Sequence, residues 1–246
     1  MKAVTRSIGT LLTLVSFLAL GCGPETPDAS RTLPPPVFGS ASIVGSVKLV
    51  GPPPPVRMLD TGTCHTGAVA VVDETVVVGS TGELANAIVY LIDAPLSTGV
   101  AQPQLVLDQV GCKYVPRITA VQSNQPLKIT TSDSVFHNVH WVSQHNGNVN
   151  VGLPKAGDFK TVAFTTPEFI RVRCDVHPWM NAWVGVFDHP FFATTNEKGQ
   201  FKIDKVPAGT YRVGVWHELY GTRESTLVVT DSAPGVVRFE FAPPAK

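Results

Sequence analysis

Phe169-Ile170-Arg171-Val172-Arg173-Cys174-Asp175-Val176-His177-Pro178-Trp179-Met180 joins a strand to a ligand-bearing loop. Ile170, Val172 and Cys174 alternate with Arg171 and Arg173, the period of a half-buried strand, so Cys174 is expected to point inward at the strand's end. The loop then presents a thiolate, an imidazole and a thioether at intervals of three residues. Soft sulfur donors combined with imidazole select copper. A second imidazole has to come from another strand, and Phe136-His137-Asn138-Val139-His140-Trp141 offers it. Counting by twos places His137 on the face of Val139 and Trp141, and His140 on the opposite face with Asn138. His137 is therefore the expected ligand and His140 a surface residue. The competing reading has no metal: Cys174 and Met180 pack inside while His177 faces water. Zinc fits poorly, because a thioether is a weak zinc ligand and structural zinc sites use more than one cysteine or stronger oxygen ligands. A binuclear copper centre needs two bridging cysteines, and this loop has only Cys174.

Outward from these two segments, short β-branched runs alternate with Gly, Pro, Asn and Asp clusters, and no sustained helical period occurs. The predicted class is all-β. Strands are expected at 43–49, 75–78, 87–92, 104–107, 117–121, 127–131, 136–142, 161–165, 169–174 and 182–187, a number and spacing that suit a Greek-key β-sandwich. After Asp188-His189-Pro190 the texture changes. Phe201 and Ile203 alternate with Lys202 and Asp204, a Val206-Pro207-Ala208-Gly209-Thr210 turn follows, and Tyr211, Val213 and Val215 resume a strand; two more runs lie at 225–230 and 236–241.

His137-Asn138-Val139-His140 and the Cys174 to Met180 loop resemble the two copper-binding segments of the cupredoxins, nearest to amicyanin-like members, whose loop has the same spacing. The resemblance runs from about Tyr114 to Asp188. It implies one type 1 copper ion held strongly by His137, Cys174 and His177, with Met180 as a weak axial ligand, and it implies one-electron transfer. The segment 41–111 is longer than a minimal cupredoxin requires. The Asn196-Glu197-Lys198-Gly199-Gln200-Phe201 stretch through Gly209-Thr210-Tyr211 resembles the carboxypeptidase-regulatory-like, transthyretin-like β-sandwich, which is nearly silent about function. The expected organisation is a leader over 1–22, a Pro-rich tether over 23–40, a cupredoxin-like domain over 41–188 and a transthyretin-like domain over 189–246. Asn138 either bonds across to the backbone flanking Cys174 or serves as an ordinary turn residue. Pro178 and Trp179 either form an apolar rim where a redox protein docks or simply pack.

Lys2 and Arg6 precede an uncharged run from Ser7 to Gly21, the pattern of an export signal and too short for a membrane span. Leu18-Ala19-Leu20-Gly21-Cys22 resembles a bacterial lipobox, which implies that Cys22 is lipidated and that the protein hangs from a membrane of the cell envelope, periplasmic or on the outer surface. With Cys22 lipidated and Cys174 on copper, Cys64 and Cys112 remain; they form a disulfide in an oxidising compartment, stay as two free thiols or, with His65, form part of a second metal site. The disulfide is favoured, worth about 4 kcal/mol in the entropic account. His145, His189 and His217 have no partners at ligand spacing and are expected at the surface or in loops.

The 246 residues hold 19 basic and 19 acidic side chains with no basic stripe, which argues against nucleic acid as a partner. An enzyme is not expected, since His-x-His pairs of a trinuclear copper cluster, a GxSxG elbow and nucleotide fingerprints are all missing. The functions left are an electron carrier, a copper storage or delivery protein, or a structural envelope protein with a vestigial metal site.

Overall fold

The computed structural model describes residues 34–61, 64, 71–97 and 103–243. The expected leader, Cys22 and most of the tether lie outside the described residues, as does His65. Every named element among the described residues is a strand, in agreement with the all-β expectation, and no helix is long and apolar enough to cross a membrane.

Two short strands, β2 (Met58–Leu59) and β3 (Val71–Val72), pair with each other. The other strands build two sandwiches. One consists of β1 (Ala41–Leu49), β4 (Ile88–Leu91), β14 (Phe192–Thr194), β15 (Gln200–Val206), β16 (Gly209–His217), β17 (Gly221–Val229) and β18 (Gly235–Phe241). Its sheets have the orders β15-β1-β18 and β14-β4-β16-β17. The other consists of β5 (Leu105–Val110), β6 (Lys113–Val115), β7 (Ile118–Gln122), β8 (Leu127–Thr131), β9 (His137–Trp141), β10 (Val149–Leu153), β11 (Phe159–Val162), β12 (Phe169–Arg173) and β13 (Asn181–Phe187). Its sheets run β10-β9-β12-β13-β7 and β11-β8-β5-β6.

The sheets cross the boundary expected at Asp188. β1 lies antiparallel to β15 and parallel to β18, and β4 pairs with β14 and β16, so both belong with the strands after residue 188. The first sandwich is interrupted in sequence and the second, 105–187, is continuous within it. This accounts for the excess length of 41–111. Ile43, Val47 and Leu49 of β1 show the ordinary alternation of a sandwich strand, which says nothing about which sandwich receives them. Gly45 is where β1 passes closest to its neighbours: a Cβ there would strike the Val237 carbonyl oxygen and the Phe201 ring. The tether also ends sooner than 40, since Gly39 N–H donates to Lys205 O at 2.9 Å and Phe38 packs edge-on against Phe191.

Each sandwich has its own core. Ile43, Leu84, Val213 and Phe241 belong to one; Leu107, Ile129, Val172 and Val184 belong to the other. Between them lies a third cluster of Ile88, Ile118, Phe187 and Trp216, with Phe169 stacked on Trp216 at 4.5 Å and Trp183 edge-on to it at 5.1 Å. Outward faces of β4, β7, β13 and β16 are thus buried against each other, which is why residues 184–187 of β13 and 213–217 of β16 are buried on both faces. Residues 75–78, expected as a strand, make only an isolated bridge from Val78 to Leu84.

Of the histidines expected at the surface or in loops, His189 lies in the loop after β13 but is buried, His217 is buried at the end of β16, and His145 is exposed. His217 stacks on Tyr220 and accepts the Leu219 N–H on Nδ1 at 3.2 Å. His189 accepts the Phe191 N–H at 3.2 Å. Burial lowers both imidazoles to about 4, helped at His217 by the Arg117 charge. Both are neutral in the folded protein, whereas the unfolded chain titrates them near 6.5, so stability is full above pH 6.5 and falls as pH drops toward 4. Urea unfolding at pH 5.5 should give a stability about 2–3 kcal/mol below that at pH 7 for the pair together. A flat profile over that interval, or an unchanged slope in His217→Gln, would show that these imidazoles are not what sets it.

Candidate metal centre

Strand β9 and the loop leaving β12 bring the two ligand-bearing segments together. Arg173 of β12 pairs with His140 of β9, which sets Cys174 next to the His137 end of the neighbouring strand. Tyr114 pins this junction from below: its hydroxyl lies 2.7 Å from Asn138 O and 3.1 Å from Arg173 O. Beyond Cys174 the chain doubles back, with Cys174 N–H donating to Met180 O at 3.1 Å and Met180 N–H to His177 O at 2.9 Å. The loop is thereby closed on itself, and Cys174 and Met180 are buried at its base while His177 is half-buried.

His137 Nδ1 and His177 Nδ1 face each other at 2.9 Å, and Cys174 Sγ lies 3.7 Å from His177 Nδ1. Two imidazole nitrogens and a thiol sulfur therefore converge on one place. The other nitrogen of His137 is committed: Nε2 lies 2.9 Å from the Asp133 carboxylate, which also accepts the N–H groups of Gly111 and Cys112 at 2.8 and 2.9 Å. An imidazole that donates Nε2–H to a carboxylate keeps the Nδ1 lone pair free for a metal, so the tautomer suits coordination. Asp133 lies four residues before His137 in the sequence, and the N–H groups that hold it come from the distant residues Gly111 and Cys112.

The electrostatics agree with that arrangement. Burial pushes the Cys174 thiol up, but hydrogen bonding with His137 and with the N–H groups of Asn138, His177 and Val176 outweighs it and holds the pKa below the ordinary thiol range. Burial pushes His137 down, while Cys174 and Asp133 pull it up, and the net direction is upward. Cys174 is the free cysteine among the described residues. The donor set of two imidazoles, a thiolate-prone sulfur and a buried methionine on the closing turn fits copper in softness.

Asn138 sits between the two segments. Its Oδ1 accepts the Asp175 N–H at 2.7 Å, next to Cys174, and its Nδ2 reaches Asn150 Oδ1 at 2.8 Å and Asp175 Oδ2 at 3.0 Å. His140 turns away and meets Asp175 at 2.7 Å. Around the half-buried His177 the surface is apolar: Phe136 and Val176 are about half exposed and Pro178 is exposed. Trp179 stands 5.2 Å from the His177 ring and donates its Nε1–H to Cys112 O at 3.0 Å, so it packs as well as lining the rim.

Cys64 and Cys112 form a disulfide, with Cα atoms 6.5 Å apart. It lies against the site. Cys64 Sγ and ring nitrogens of His137 and His177 are all within 4.8 Å of one another, as are Cys112 Sγ, an Asp133 oxygen and a His137 nitrogen.

No family model and no curated protein matches the chain. Among solved structures, it is similar to a Cu(I) amicyanin carrying a methionine-to-alanine substitution, at 25% identity over 35% of this chain and 85% of that one, with a TM-score of 0.31. A purple cupredoxin from Nitrosopumilus maritimus shares 21% identity over 35% of this chain and 99% of its own, with a TM-score of 0.29. A copper-containing nitrite reductase from Thermus scotoductus SA-01 shares 17% identity over 37% of this chain and 24% of its own, with a TM-score of 0.31.

Proposed function

We propose that this chain is a cupredoxin-type protein that binds one copper ion through His137, Cys174, His177 and Met180 and passes single electrons. The observation that carries the reading is the convergence of His137 Nδ1, His177 Nδ1 and Cys174 Sγ, with the far nitrogen of His137 fixed by Asp133. Bound copper would supply a reversible one-electron couple between Cu(I) and Cu(II). The chain's own residues do the rest. Asp133 orients His137, and the N–H groups around Cys174 stabilise negative charge on its sulfur, which raises the affinity for an added electron. Tyr114 and Asn138 tie the two segments together and limit rearrangement between redox states. Phe136, Val176 and Pro178 form the apolar rim through which a redox protein would dock beside His177. The role proposed is that of a carrier and not of an enzyme, held at the cell envelope by a lipid on Cys22.

Copper(II) added to protein lacking residues 1–22 should produce an intense visible thiolate-to-copper absorption that saturates at one ion per chain. Failure of that band to form, or a stoichiometry unrelated to one site, would remove the type 1 assignment. Loss of the ion to a chelator without reversible redox cycling would instead favour storage or delivery.

A further inference from the structure

The disulfide lies beside the two imidazoles of the candidate metal centre. Cys64 Sγ is within 4.8 Å of nitrogens on both His137 and His177, the two imidazoles that face each other. Its partner is wired into both metal-binding segments. Cys112 N–H donates to the Asp133 carboxylate that also holds His137, and Cys112 O accepts the Trp179 Nε1–H from the loop carrying His177 and Met180. Cys112 therefore stays anchored through its backbone whether or not the sulfur bond exists. Cys64, whose N–H donates to Thr61 O at 3.1 Å, has a sulfur positioned toward the metal centre. A purely structural cross-link has no need to lie within ligand reach of a metal site, and its stabilising effect depends on the loop that it closes.

We propose that Cys64–Cys112 is a redox-active disulfide that sets the ligand number of the metal centre: oxidised it walls the site, and reduced it frees Cys64 as a second thiolate ligand. This rests on the copper reading above. The reductant is a dithiol. Its two thiols become a disulfide, the Cys64–Cys112 bond breaks, and two electrons and two protons end on the chain's two sulfurs; Cys64 gives up its proton to solvent when it takes the metal. A second thiolate makes the donor set softer and favours Cu(I) over Cu(II), so the reduced protein holds Cu(I) and ceases to be a reversible one-electron carrier.

Full-length protein in detergent, loaded with Cu(I), separates the possibilities. X-ray absorption should count one short copper–sulfur contact in protein loaded untreated, and two in protein reduced with dithiothreitol and freed of it before loading. Cys112→Ser, which leaves Cys64 free, should show two without any reductant, and Cys64→Ser should stay at one. Retention of Cu(I) against a bidentate chelator should rise by about tenfold or more in the reduced protein and in Cys112→Ser, but not in Cys64→Ser. A merely structural disulfide would make the two serine variants alike. A sulfur count that stays at one after the disulfide is reduced, or equal counts in the two variants, overturns the proposal while leaving the copper reading intact. Absence of copper from the untreated protein overturns that reading and this one with it. Chemical reduction of the unaltered chain decides the matter should a serine variant fold poorly.

Discussion

Cys174→Ser should abolish the visible thiolate-to-copper band and weaken copper retention by more than the ~10–100-fold that altering an outer partner of a ligand costs. The hydroxyl matches the thiol in shape and can accept the same N–H groups from Asn138, Val176 and His177, so the folded frame is expected to survive. What it cannot do is ionise in this pH range and give a soft anionic donor. The strand phase of β12 makes the test specific, since Cys174 is buried at the base of the loop and touches the His177 nitrogen side of the site. Equilibrium dialysis and absorption spectra of the two proteins measure the effect, with apo melting curves as the control. A band that persists in the serine protein would mean that another sulfur, or none, is the ligand.

Glu218→Ala should lower the stability by about 3–5 kcal/mol, because it strands a buried cation. Arg117 Nε and Nη2 reach the two oxygens of Glu218 at 2.5 and 2.9 Å, and Trp183 Nε1–H donates to the same carboxylate at 3.2 Å. Both side chains are about nine-tenths shielded, at 10% and 9% exposure, so water cannot replace the lost partner. Arg117 precedes β7 of the continuous sandwich and Glu218 follows β16 of the interrupted one, so the pair bridges the two bodies beside the Trp183–Trp216 contact. Replacing both residues together, as Arg117→Met with Glu218→Leu, should recover most of the loss, since desolvation of such a pair roughly cancels its attraction. Urea unfolding followed by tryptophan fluorescence measures all three proteins. A single variant within about 1 kcal/mol of the parent would fit a solvated pair instead.

The all-β class and the faces taken by His137 and Cys174 could be read from the sequence because they depend on local parity. Ile170, Val172 and Cys174 share one face by counting, and His137 shares one with Val139 and Trp141. His217 could have been found in the same way, since it continues the parity of Tyr211, Val213 and Val215 into the core. That Trp216 on the opposite face of β16 is also buried, against the other sandwich, is set by tertiary packing. Tyr114 was not legible, because its partners lie 24 and 59 residues away, and Asp133, only four residues before His137, is held in place by N–H groups of Gly111 and Cys112 that lie 22 and 21 residues back. The membership of β1 was hidden for the same reason, because its hydrogen-bond partners in β15 and β18 lie more than 150 residues along the chain.

That placement of β1 and β4 imposes an order of events on a ribosome. The stretch from 105 to 187 contains every strand of the continuous sandwich, so its core can close while the rest of the chain is still being made. β1 and β4 emerge earlier yet must wait, without their neighbours, until β14 to β18 have followed, and β18 is the strand that finally covers the second side of β1. The interval is long on the scale of hairpin formation, and two apolar strands with open edges persist through it. Protection of those edges until the later strands arrive is therefore built into the needs of this topology, whereas the inner body needs none beyond its own completion.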